Sequence, residues 1–175
     1  MGRAGVRLRM IEAAEDLSPA VLLATEFSDW ARGRTEADYG IKLEESEREL
    51  RLLSDLEGLL APPARLYLAE INDEPVGIGG LKPLAADEAE IKRMYVRPSF
   101  RGFGVGRAIL QRLIDDARTL GCKTVRLESA AFMHEAHTLY RSFGFVPCPP
   151  YAGREFESIR AVDDISVFMA LDLGE

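Results

Sequence analysis

The chain has 175 residues, 47% of them hydrophobic and 29% charged, which excludes a disordered chain and suits one ordinary domain over 1–175. Lys and Arg number 22 against 29 Asp and Glu, a formal net charge of −7. That balance argues against a nucleic-acid partner, whose non-specific affinity needs basic residues, and favours cationic small substrates.

Two cysteines, Cys122 and Cys148, cannot make a disulfide framework and read as reduced thiols of a cytoplasmic protein. Met1 to Met10 carries positive charge with no apolar run behind it, unlike a signal peptide, and no apolar run is long enough for a membrane span.

In chain order, Val6 to Ile11 predicts a strand. Ser18-Pro19 opens a helix to about Arg32, with Ser18 as N-cap, and Gly33 and Gly40 bracket a polar connection. Leu50, Leu53, Leu56 and Leu60 recur at helical spacing, predicting a helix over 41–60 that Pro62-Pro63 stops. A three-strand meander follows: Arg65 to Ile71, Val76 to Leu81 and Glu90 to Val96, with turns at 72–75 and 85–89. An amphipathic helix then runs to about Leu120, with Val105, Ile109, Leu113, Ala117 and Leu120 on one stripe. A strand at Thr124 to Ser129, a short helix at Met133 to Phe143, a broken strand from Phe145 and a last strand at Ile165 to Leu173 complete the chain. The order predicts an α/β or α+β fold with a mixed sheet.

The chemistry concentrates in Glu90 to Leu110, where a strand passes through a Gly-rich turn directly into a helix. The first amides of a helix lack intrahelical partners and sit at the positive end of its dipole. Glycines at 102, 104 and 106 leave those amides accessible, and Arg101 and Arg107 add full charges, so the turn reads as a phosphate or pyrophosphate cradle. Neither the Walker A loop nor the dinucleotide fingerprint fits, because Arg107-Ala108 follows Gly106 and no third glycine is in place.

Arg-x-x-Gly-x-Gly at 101–106 resembles the acetyl-coenzyme A loop of the GNAT superfamily of N-acyltransferases. A second resemblance lies in Ala136-His-Thr-Leu-Tyr140-Arg-Ser-Phe-Gly-Phe145, a short helix carrying Tyr before a Gly-Phe corner. The likeness is tight over about 65–151. It implies a mixed, mostly antiparallel sheet of six to seven strands flanked by about four helices. It also implies acetyl-CoA as co-substrate, with an amine of a small molecule, peptide or protein as acceptor. A catalytically idle acyl-CoA-binding module is the alternative, and monomer and homodimer both stay open.

The resemblance assigns cofactor contact to the main chain of Met94, Tyr95 and Val96 on a splayed strand, and the pyrophosphate to Arg101, Gly102, Phe103, Gly104, Val105, Gly106 and Arg107. Met133 and Ala136 fall at further cofactor positions, although relatives often have Asn at position 133 and Met makes no such polar contact. Tyr140 matches the acid that protonates the departing thiolate. Glu90 matches a base position used by several relatives, often through water, although it could equally be a solvated residue of the acidic run Asp87 to Glu90; Glu128 is the second candidate. Helices in the first third often wall the acceptor site in the family, which draws in Trp30, Tyr39 and nearby carboxylates. His134 and His137 are three residues apart, not the four of a zinc-protease helix, so they read as surface histidines and no metal is expected.

Overall fold

The computed structural model describes residues 5–43, 48–154, 157 and 160–174. Strands β1 (Arg7–Met10), β2 (Arg65–Ile71), β3 (Glu74–Ala85), β4 (Glu88–Val96), β5 (Thr124–Ala130), β6 (Val146–Pro147) and β7 (Ser166–Asp172) form one sheet. Their order is β1-β2-β3-β4-β5-β7-β6, antiparallel throughout except for the parallel pair β4–β5. Helices α1 (Ser18–Tyr39), α2 (Arg48–Gly58), α3 (Val105–Thr119) and α4 (His134–Ser142) flank it. This is the mixed, mostly antiparallel fold that the sequence predicts. No helix among the described residues is long and apolar enough to cross a membrane.

Strand alternation builds two cores. On β2, Leu66 and Leu68 face α1 and α2, where they meet Leu23, Ala24, Leu56 and Leu59. Tyr67 and Ala69 face the other way, towards the α3 stripe of Val105, Ile109, Leu113 and Ala117. Asn72 and Asp73, both at positive φ, make the two-residue turn that returns β2 into β3.

Gly79 on β3 lies directly beneath α3. A Cβ there would run into Ile109 Cγ2 and stand 2.9 Å from Met94 Sδ. Gly79→Ala should therefore destabilise the protein by about 1–3 kcal/mol, the usual range for overpacking a core. Urea unfolding measures it, and a midpoint equal to wild type would mean α3 moves away freely.

Three expectations need correction. Helix α1 does not stop near Arg32; it runs through Gly33 to Tyr39 and ends where Gly40 takes a left-handed conformation. A solitary glycine costs a helix only about 1 kcal/mol, and the Arg34–Asp38 ion pair and the packing of Tyr39 on Phe132 support the extra turns. The N-cap is Leu17 rather than Ser18, with no side-chain cap. The buried face of α2 is offset from the predicted stripe: Leu52 and Leu56, with Leu59 in the turn just after the helix, are buried, whereas Leu53 is exposed. The side chain of Leu50 and residues 44–47 of that predicted helix lie outside the described residues.

Candidate active site

Pairing between β4 and β5 covers only Glu88–Ile91 with Thr124–Leu127. Beyond it β4 continues to Val96 on β3, and β5 continues to Ala130 on β7, so the C-terminal ends of the two strands fork. A bulge sharpens the fork: Arg93 has φ 56°, and the register with β3 slips between the Ile78–Tyr95 and Gly80–Lys92 pairs. Gly77, Gly79 and Gly80 of β3 predict a bulge or close backbone approach in the sequence, and Gly79 lies at this slip, although the residue at positive φ is Arg93. The Arg93 side chain is held on α2 by Asp55. A solvent-connected cleft opens in the fork, lined by Lys92, Met94, Glu128, Ser129 and Tyr140 among others.

Beyond the bulge the side chains turn to the two cores. Met94 and Val96 pack with the α3 core and Tyr95 with the α1 core, where Tyr95 stacks on Phe27 at 5.6 Å. The side chains of Tyr95 and Val96 are thus taken up by packing and do not line the cleft, whereas Met94 does. Arg97 anchors the end of β4 to α1, donating from Nη2 to Glu26 at 2.7 Å and from Nε at 3.0 Å. That guanidinium holds the Glu26 carboxyl below the usual range.

The Gly-rich turn leads from a short 3-10 turn at Pro98–Phe100 into α3, whose N-cap is Gly104 at φ 86° with no side-chain cap. Gly102 is also at positive φ, and a Cβ at either glycine would project into open space. At Gly106 the reason for glycine differs: a Cβ would press on Leu139 of α4 at 3.2 Å. Arg101 donates to the Val96 carbonyl at 3.3 Å and pairs with Glu135 on the first turn of α4 at 3.1 Å. Arg107 lies over the Phe143 ring at 5.0 Å, and Phe103 projects into solvent. The turn is an open cradle of helix amides flanked by cations, suited to a phosphate.

Across the cleft, α4 presents Tyr140, which is buried against Phe145. Burial pushes its phenol well above the ordinary tyrosine range, so it stays protonated at neutral pH. Met133 stands at the N-cap of α4 with its thioether 3.5 Å from Ser129 Oγ, and Ala136 packs at the edge of the α3 core.

His137 departs from its surface reading: it is 4% exposed, with Nε2 3.1 Å from Ser129 Oγ. The inward face of α4 takes positions 137 and 140 together, while His134 stays outside. Burial, then the nearby Arg141 and His134, lower the His137 pKa. Below about 6.5 the unfolded chain gains a proton that buried His137 resists, so stability should fall as pH drops from 6.5 towards the lowered folded value. Melts between pH 7.5 and 5.5 should show this slope in wild type and not in His137→Gln, whose amide still reaches Ser129; an equal slope in both would assign it elsewhere. Glu26 and Glu88, both lowered by arginine partners, act at more acidic pH.

Glu90 is buried one pair back from the fork, on the same strand face as Lys92, and accepts a 2.8 Å hydrogen bond from Tyr151. Burial, then the Glu90 charge, push the Tyr151 phenol up. Glu90 is not part of the cleft wall; Glu128 is, with a side chain 2% exposed that accepts from Ser166 at 3.0 Å and faces Arg154 at 3.8 Å. Trp30 and Tyr39 are partly exposed and both contact Phe132, Trp30 edge-on at 5.6 Å and Tyr39 tilted at 6.3 Å, while Phe27 and Thr35 of α1 reach the cleft itself. Lys92, Ser129, Tyr151 and Phe132 went unread in the sequence. Polar residues at alternate positions Glu90 and Lys92 of a strand with a buried neighbour were the available signal.

The model of the acetyltransferase (GNAT) family matches residues 24–145, and the chain belongs to that family. An IAA acetyltransferase of Azospirillum brasilense is 34% identical over 100 residues, 57% of this chain and 65% of that protein. The chain spans 58–66% of the length of three such curated relatives. Among solved structures, an acetyltransferase from Streptococcus agalactiae has the same fold with TM-score 0.71 at 16% identity, covering 97% of this chain and 99% of that one. The PaiA N-acetyltransferase of Thermoplasma acidophilum, solved with coenzyme A, superposes with TM-score 0.66 at 19% identity, covering 96% and 99%.

Proposed function

We propose that the protein is an acetyl-CoA-dependent N-acetyltransferase of small primary amines. The observation that carries this reading is the fork between β4 and β5, with an open phosphate cradle at one end and a buried, protonated Tyr140 on its wall.

Bound acetyl-CoA supplies an acetyl group activated as a thioester. The amides of Gly104 to Arg107, with Arg101 and Arg107, hold its pyrophosphate, and the backbone of Met94 to Val96 holds its arm as a neighbouring strand would. Met133 and Ala136 border that arm. Tyr140 gives its proton to the departing sulfur as the C–S bond breaks and the N–C bond forms. The amine's proton passes to the carboxylates of β4 and β5, with Glu128 at the cleft and Glu90 behind it, reached through water. The Coenzyme A structure of the Thermoplasma protein and the shared family support the choice of co-substrate.

Thiol release from acetyl-CoA with a panel of primary amines tests the reading. Release that requires both protein and an amine is expected. Calorimetric binding of acetyl-CoA with no release from any amine would leave a binding module instead.

A further inference from the structure

The last paired residues of the fork are Ile91 and Leu127. The next position on each strand is charged: Lys92 on β4 and Glu128 on β5. Both face α1, because their neighbours Ile91 and Leu127 belong to the α3 core. Both line the cleft and both are deeply buried, Lys92 at 7% exposure.

Lys92 makes no hydrogen bond or ion pair with any described residue, Glu128 included. With no such partner and an Nζ that is not enclosed, the ammonium is open to the cleft at the tip of a buried stem. The fork therefore keeps an anion and a cation apart on its two prongs, at the place where the acceptor would meet the acyl group. The other lining is largely apolar, with Phe27, Leu43, Val162 and Ile165 beside the hydroxyls of Thr35 and Ser166. The same cleft has to hold the end of the acyl donor as well, which favours a small acceptor.

We infer that the acceptor is a free α-amino acid with an apolar or aromatic side chain, its amine directed to Glu128 and its carboxylate to Lys92. The inference rests on the acetyltransfer reading above and adds the substrate class. The carboxylate supplies the counter-charge that Lys92 lacks, and the apolar wall receives the side chain. An amine without a carboxylate would forgo that charge-assisted contact.

The test compares leucine and phenylalanine with leucinamide, phenethylamine and 3-methylbutylamine as acceptors of the wild-type protein. The kcat/KM for the amino acids should exceed that for the carboxylate-free amines by about 10- to 100-fold, the range for a hydrogen bond to a charged group. In Lys92→Met that ratio should fall towards one. Equal use of leucine and leucinamide, or a ratio unchanged in Lys92→Met, overturns the inference. A second readout does not need turnover: calorimetry of leucine into the protein saturated with coenzyme A should show binding, with leucinamide weaker and Lys92→Met impaired. Absence of leucine binding overturns the inference, whereas binding without thiol release overturns only the acetyltransfer reading.

Discussion

Tyr140→Phe should lower turnover by roughly 10²- to 10⁴-fold, the range for a single acid–base group, while acetyl-CoA affinity changes little. The ring packs on Phe145 and fills the wall of the cleft, and phenylalanine preserves both roles. Only the proton is lost, and burial is what keeps that proton on the phenol in wild type. Because the phenol's pKa is raised, no alkaline loss of activity from Tyr140 is expected below about pH 10, its ordinary value. Steady-state kinetics decide the matter. A loss confined to the Michaelis constant for acetyl-CoA would make Tyr140 a cofactor-holding residue, and unchanged turnover under rate-limiting chemistry would remove the acid assignment.

Gly104→Val should abolish acetyl-CoA binding in calorimetry while leaving the far-UV circular dichroism intact. Gly104 caps α3 at φ 86°, a conformation that costs a residue with a Cβ roughly 1–2 kcal/mol. Nothing of the protein lies within 4 Å of the added Cβ, so its bulk would project from the first turn of α3 into the open cradle. Gly104→Ala separates the two effects: it carries much of the backbone strain with less obstruction, so its affinity should lie between. Wild-type affinity in a folded Gly104→Val would place the pyrophosphate elsewhere.

The Gly-rich turn into α3 and the short helix carrying Tyr140 were readable in the sequence because each depends on residues close together in the chain. A Gly-rich turn entering a helix is a local pattern, and so is a short helix ending at Gly144-Phe145. The element order was readable for the same reason, since the period of apolar residues changes from helix to strand at Arg65. What was not readable depends on alignment between distant segments. Gly33 looks like a break until Trp30 and Tyr39 are seen braced on Phe132, about a hundred residues away. His137 looks superficial until Ser129 on β5 is placed beneath it. The ranking of Glu90 over Glu128 followed from the resemblance to a base position in relatives, whereas access to the cleft is set by where β4 and β5 part.

The brevity of the β4–β5 ladder has a mechanical consequence. Four residue pairs are a weak seam across the middle of a seven-stranded sheet, so a molecule lying in the fork behaves as a rivet between its halves. At a hundredfold excess over its Kd, such a ligand adds about 2.7 kcal/mol to the resistance to unfolding. Melting temperature then follows the concentration and fit of the riveting molecule. A thermal-shift series over acyl-CoA thioesters of different chain length would rank donors before any acceptor is in hand.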